Sequence, residues 1–292
     1  MKKIQGVIVA LVTPMKSDFS VDFDGLAELI EFQIAAGIDG ILLVGTTGES
    51  PTLTADEELE IVRFAIDKIA GRVVVMVGAG SNATAESLEK IRNYGALSGI
   101  DALLCITPYY NRTSDAGMLA HFTALADAAK QPIVLYNVPG RTGCQISLPV
   151  LRALASHPNI VGLKEASGDM GYASAAARLI SDDFALFSGN DDLNLLFLAL
   201  GAAGVISVWA NIQPRAVAAL VKSFASGHLQ DARDNQLLHL DLIHALFSET
   251  NPIPVKAALA HLGLPAGPLR MPLVALSGEK LSALTELLED DE

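Results

Sequence analysis

Among the ten lysines of the chain, Lys164 alone sits within a run that reads as a strand, Ile160-Val161-Gly162-Leu163-Lys164-Glu165. A lysine facing an apolar interior is costly unless its amine does something. The chemistry it suits is Schiff-base catalysis, in which a neutral ε-amine attacks a ketone and the resulting iminium becomes an electron sink for a developing carbanion. With an ordinary pKa of about 10.4, only ~0.04% of the amine is neutral at pH 7, so the site must lower that value, and apolar surroundings do so. Gly162, on the same side of the strand, leaves room for the four-carbon stem. From this strand alone, an equal alternative is a lysine at a strand end that reaches solvent or pairs with a carboxylate.

Three further polar clusters follow apolar runs: Gly45-Thr46-Thr47-Gly48-Glu49-Ser50, Thr107-Pro108-Tyr109-Tyr110-Asn111-Arg112, and Tyr136-Asn137-Val138-Pro139-Gly140-Arg141-Thr142-Gly143. Schiff-base chemistry needs a proton shuttle, and Tyr136, Thr46 and Tyr110 supply three hydroxyls for one. A keto acid also needs a grip for its carboxylate, which the amides and hydroxyls of Thr46 and Thr47 offer. Each has a structural alternative when taken singly. Thr46-Thr47 can cap a helix, Tyr109-Tyr110 can pack at an oligomer interface, and Arg141 can serve as a surface ion-pair partner. Convergence at one place is what those alternatives leave unexplained.

Two other chemistries fit less well. Metal-dependent aldol cleavage needs clustered ligands, but His121, His157, His228, His239, His244 and His261 fall in helices or loops, without HxH or HExxH spacing. His239 and His244 read as helix-surface residues. Gly78-Ala79-Gly80-Ser81-Asn82-Ala83 matches a dinucleotide-binding turn, yet the next strand ends in Cys105-Ile106-Thr107-Pro108 and lacks the acidic residue such a site requires. It reads as a tight turn between strand and helix.

The positioning elements are legible as an alternation. Apolar β-rich runs occur at Val7–Val12, Ile41–Gly45, Val73–Val77, Ala102–Ile106, Ile133–Asn137, Val161–Lys164, Ala185–Ser188 and Val205–Val208. None alternates polar with apolar residues, so both faces of each strand are expected to be covered, as in a parallel sheet. Amphipathic segments separate them, including Asp56–Ile69, opened by a Thr54-x-x-Glu57 capping box, and Glu86–Ala96. This predicts an α/β protein with a TIM (β/α)8 barrel, whose strand ends gather all four polar clusters at one mouth. Helices are then expected at Arg215–Ser226, Leu229–Phe247, Ile253–Leu262 and Gly278–Leu288. The expected division is a catalytic barrel over 1–223 and a C-terminal helical extension over 224–292.

Composition narrows the function classes. The 292 residues carry a formal net charge of −13 with no basic cluster, which argues against nucleic-acid or anionic-membrane binding. With 51% hydrophobic and 18% charged residues, the chain is not of the disordered type. Lys2 and Lys3 before the apolar run from Ile4 imitate a signal peptide, but no small-x-small cleavage site follows. Leu193–Pro214 is about as long as a membrane span and uncharged. Gly201 and Gly204 interrupt it and its second half turns β-branched, so it reads as buried helix, tight turn and buried strand. Cys105 and Cys144 form no CxxC pair, which suits a reducing compartment.

With these residues assembled, the chain resembles the pyruvate-dependent class I aldolase superfamily typified by N-acetylneuraminate lyase, and within it the dihydrodipicolinate synthase family. The resemblance spans nearly the whole length, through Gly6–Pro14, the GTTGES, TPYYN, YNVPGRTG and GLKEASG blocks, and Thr250–Lys256. It implies that Lys164 forms the Schiff base with pyruvate and that Tyr136, Thr46 and Tyr110 relay protons, with Tyr110 reaching into a neighbouring subunit's site. It implies further that Thr47 binds the pyruvate carboxylate, that Gly189 and Ile206 line the pocket, and that Arg141 meets the carboxylate of L-aspartate 4-semialdehyde. The implied product is 4-hydroxy-tetrahydrodipicolinate, for diaminopimelate and lysine synthesis in the cytoplasm. The resemblance implies neither an organic cofactor nor a metal, and implies a homotetramer built from tight dimers. Ser50, Asn82, Glu86 and Tyr109 match a regulatory cleft for lysine, with Ala55 and Glu58 where a ring often completes it. Competing functions are an aldolase of a longer 2-keto acid and a silent keto-acid-binding paralogue.

Overall fold

Eight short parallel strands close on themselves in sequence order: β1 (Gly6–Ala10), β2 (Gly40–Leu43), β3 (Val74–Gly78), β4 (Ala102–Ile106), β5 (Ile133–Asn137), β6 (Ile160–Glu165), β7 (Ala185–Ser188) and β8 (Gly204–Ser207), with β8 pairing back onto β1. The computed structural model describes residues 3–289, so Met1, Lys2 and residues 290–292 lie outside it.

Closure follows from the strand sequences. Successive side chains point to opposite faces, so one set fills the barrel and the other meets the surrounding helices. Ile8, Leu42, Met76, Leu104, Val134, Phe187 and Ile206 pack inside. Val9, Ile41, Val75, Leu103, Leu135, Leu163 and Val205 pack outward against the helical layer. Apolar residues on both faces explain why none of the strands shows a polar stripe.

The helices close to expectation include Ala55–Ile69, whose capping box is formed. Thr54 Oγ1 accepts from Glu57 N–H at 3.2 Å, and Glu57 accepts from Thr54 N–H at 2.8 Å. Leu193–Pro214 resolves into the helix Asn194–Ala199, a turn, and β8. No helix among the described residues is long and apolar enough to cross a membrane.

One expectation is corrected. Leu229–Phe247 is not one helix but two, Leu229–Leu238 and Leu240–Ala245. At the break, the His239 ring packs against Trp209 with centroids 4.9 Å apart and the planes tilted by 43°, and its Nδ1 lies 2.8 Å from the Asn235 carbonyl oxygen. That carbonyl is part of the helix's own ladder, so the side chain competes with helix continuation. His239 is therefore a packed helix end, whereas His244 is exposed as expected. The helix Pro214–Ala225 lies against β1, and the helices after it pack onto the barrel mouth and flank.

Candidate active site

The loops after the strands surround a cavity of about 550 Å³ at the C-terminal end of the barrel. Thr46, Thr47, Tyr136, Arg141, Lys164 and Gly189 all line it, so five polar residues picked out from separate segments do converge. Their positions follow from register. Lys164 and Tyr136 are partners across β6 and β5, and the Lys164 Nζ stands 4.4 Å from the centre of the Tyr136 ring.

Lys164 is 5% exposed and makes no hydrogen bond or ion pair with any described residue. Burial lowers its pKa from 10.5 to about 8; the Asp191 carboxylate opposes that drop and Arg141 adds to it. Asp191 is itself buried and held by Val208 N–H and Trp209 N–H at 2.8 Å each, by Asn194 Nδ2 at 3.2 Å and by the Ser207 hydroxyl. Those bonds also tie the loop after β7 to the loop after β8.

Room for the lysine stem comes from a different glycine than expected. A Cβ on Gly162 would meet the Ala185 carbonyl oxygen at 2.6 Å and Phe187, so that glycine serves strand packing. A Cβ on Gly189 would come within 3.0 Å of the Lys164 Cε and 2.6 Å of the Ala166 Cβ. Gly189 is the residue whose missing side chain accommodates the stem.

Burial raises the Tyr136 phenol above its ordinary pKa, while Arg141 and the Thr46 hydroxyl beside it pull the other way. The turn carrying Thr46 and Thr47 is strained. Val44 and Glu49 have φ of 44° and 57°, a left-handed conformation rare for a β-branched residue such as valine. Inside the turn, the N–H groups of Gly48, Glu49 and Ser50 bond back to Gly45 and Thr46 carbonyls. Those of Thr46 and Thr47 bond to no described residue, leaving two adjacent donors for an anion.

Other positions fall elsewhere. Tyr110 is 92% exposed, holds a φ of 69° and does not line the cavity of its own chain. Ile206 is buried in the barrel interior and also does not line it. Ser50, Glu86 and Tyr109 line the same cavity, whereas Asn82 is engaged through its carbonyl by Asn111 Nδ2 at 2.9 Å. Ala55 opens its helix. Glu58 is not free to attract an ammonium group, because it already accepts from Lys90 Nζ at 2.7 Å and Tyr94 Oη at 3.2 Å.

A second buried lysine shows what distinguishes the first. Lys256, 2% exposed, donates to Glu49 Oε1 at 2.8 Å and to the Thr13 and Pro268 carbonyls at 3.2 and 2.8 Å. All three of its protons are used, so it is a structural cation rather than a nucleophile. The other Glu49 oxygen accepts from Arg270 N–H at 2.9 Å, holding the GTTGES turn to the C-terminal extension. In the sequence Lys256 stands out only as the end of the Thr250–Lys256 block, although it is the only charge in the apolar stretch Ile253–Leu259. Asn251, which also lines the cavity, carried no signal beyond its place in the Thr250–Lys256 block.

The chain matches the dihydrodipicolinate synthetase family over residues 3–291. It is 44% identical over 289 residues to the 4-hydroxy-tetrahydrodipicolinate synthase of Thermoanaerobacter sp. strain X514, covering 99% of this chain and 97% of that protein. The crystal structure of dihydrodipicolinate synthase from Aquifex aeolicus superposes with a TM-score of 0.95 at 41% identity, covering 99% of this chain and 98% of that one. The chloride-inhibited dihydrodipicolinate synthase from Acinetobacter baumannii, complexed with pyruvate, gives a TM-score of 0.95 at 39% identity over 99% of both chains.

Proposed function

This chain belongs to the dihydrodipicolinate synthetase family, and from that membership and its cavity we propose that it condenses pyruvate with L-aspartate 4-semialdehyde through a Schiff base on Lys164. It is a lyase of the class I aldolase type, and the product is 4-hydroxy-tetrahydrodipicolinate, on the route to diaminopimelate and lysine. The observation that carries the Schiff base is a buried lysine with no ion pair or hydrogen bond to any described residue, its pKa brought down to about 8, in the lining of the cavity.

The chemistry assigns a task to each neighbour. Lys164 Nζ attacks the pyruvate ketone, and the carbinolamine loses water to give the imine. Loss of a methyl proton then yields an enamine, whose carbon attacks the aldehyde of the second substrate. The amino group of that substrate attacks the imine carbon, closes the ring and frees the lysine. Every step moves a proton, which Tyr136 passes with Thr46 beside it. Thr47 and the free amides of the turn hold the pyruvate carboxylate. Arg141, with a planar guanidinium suited to bidentate carboxylate binding, meets the second substrate at the mouth.

Tyr110 completes the relay from a neighbouring subunit. Its near-total exposure and strained backbone, away from its own cavity, support an assembly of tight dimers, and we extend this to a homotetramer acting in the cytoplasm. We keep residues 1–223 as the catalytic barrel and 224–292 as the extension that braces its mouth.

Incubation with pyruvate, borohydride reduction and peptide mapping test the reading. The expected result is one pyruvate-derived adduct on Lys164. An adduct on another lysine, or none, overturns it. Turnover with pyruvate and the semialdehyde separates a synthase from a silent binder, and turnover only with a longer 2-keto acid would make the chain an aldolase of that class.

A further inference from the structure

Asn251 precedes the helix Ile253–His261 of the C-terminal extension, yet it is only 6% exposed and lines the cavity. Its Nδ2 donates to Thr47 Oγ1 at 2.9 Å, and its main-chain carbonyl accepts from Arg141 Nη2 at 3.0 Å. One residue outside the barrel therefore touches both groups assigned above to the substrate carboxylates. We propose that Asn251 is a positioning residue that aims the Thr47 hydroxyl proton at the carboxylate of the keto acid, while its main chain anchors Arg141. The inference rests on the Schiff-base reading.

A hydroxyl has one proton and two lone pairs. With one lone pair taken by the Asn251 amide, the Thr47 proton points elsewhere, and it is donated to no described residue. Without that amide the hydroxyl would rotate freely and could spend its proton on a nearby carbonyl. The amide itself is steered by Thr47 alone, since its Oδ1 is buried and has no partner among the described residues. Its chain position is fixed one turn later, where Lys256 reaches Glu49, two residues beyond Thr47. The extension thus grips the Thr47 turn at Glu49, through the Lys256 ion pair and the Arg270 N–H, and again through the hydroxyl that faces the substrate.

The test is a mutant cycle of Asn251→Ala, Thr47→Val and the double variant, with Asn251→Asp alongside. Borohydride trapping, kcat and KM for each substrate are measured, and thermal melts are recorded in parallel. Asn251→Ala should raise KM for pyruvate about tenfold, the loss of one hydrogen bond to a charged ligand. It should leave kcat at saturating pyruvate and KM for the semialdehyde near wild type, because the carbonyl that holds Arg141 remains. The double variant should be no worse than Thr47→Val, since both remove the same interaction. Asn251→Asp fills the same space but only accepts, so it should turn the Thr47 proton away from the substrate and raise pyruvate KM at least as much as alanine does. Additive effects in the cycle, or wild-type pyruvate KM in Asn251→Asp, would overturn the inference and leave Asn251 a packing residue. Absence of wild-type trapping on Lys164 would sink the Schiff-base reading and this inference with it; trapping with an additive cycle sinks this inference alone.

Discussion

Lys164 faces Tyr136 across adjacent strands only because β6 carries one extra residue. Ile133 pairs with Ile160 but Val134 pairs with Gly162, so the ladder skips Val161. Without that shift Leu163 would stand opposite Tyr136, and the lysine would turn toward the helical layer. The bulge thus puts an amine and a phenol on the same interior wall, and several consequences can be measured.

Trapping by pyruvate should follow the neutral fraction of Lys164. With a pKa of about 8, the trapping rate at fixed pyruvate should climb roughly tenfold per pH unit below pH 8 and level off above it. A rise that continues to pH 10 would show an amine that burial has not perturbed. Stability carries the same signature. The folded pKa lies below the unfolded value of 10.5, so the unfolded state holds more protons between the two, and stability rises with pH in that window. The cost of burying the ammonium is fully present below pH 8. Lys164→Met should therefore be inactive yet more stable than wild type at pH 7, by up to roughly 3 kcal/mol. That advantage should shrink toward pH 10, as read by urea melts at several pH values. A destabilised Lys164→Met at pH 7 would contradict it.

Arg141→Ala should separate the two substrates. Schiff-base trapping with pyruvate should stay close to wild type, while kcat/KM for the semialdehyde falls by about 1.5 to 3 kcal/mol, the worth of a hydrogen bond to a charged group. Arg141 is exposed in the single chain, so the lower half of that range is expected. Equal losses in both assays would make Arg141 structural, and an aldolase of a longer keto acid would become the better reading.

Tyr110 can be tested by complementation. Lys164→Ala and Tyr110→Phe chains, each impaired alone, should regain roughly a quarter of wild-type activity when equal amounts are unfolded and refolded together, because mixed dimers contain one site with both groups. No gain over the separate variants, in mixtures shown to contain heterodimers, would place Tyr110 outside the neighbouring site.

Lysine should bind weakly or not at all. The carboxylate at Glu58 is already neutralised by Lys90 at 2.7 Å, and Ala55 offers no ring for a ligand to stack on. Calorimetric titration should show no saturable heat at micromolar lysine, and activity should be unchanged. Lys90→Ala, which releases Glu58, should improve lysine affinity. Tight binding to the wild-type chain would refute this account.

The division between what was readable in the chain and what required the fold has a physical basis. Eight two-sided apolar runs, the capping box at Thr54 and the unusual strand lysine are local patterns, governed by residue type and by periods of two or 3.6, so the barrel and four of its mouth clusters could be read directly. Contacts between distant segments leave no such period. The skip at Val161, the space at Gly189, the pairing of Lys256 with Glu49 across 207 positions and of Asn251 with Thr47 across 204 exist only once the chain is folded. The same holds for the break at His239, where a ring finds Trp209 and outweighs a helical pattern. Sequence determined which residues can do the chemistry and at which end of the barrel they gather. Tertiary structure decided which of the two buried lysines, Lys164 or Lys256, has no hydrogen-bonding partner among the described residues, because burial and counter-charge are properties of neighbours that local sequence does not specify.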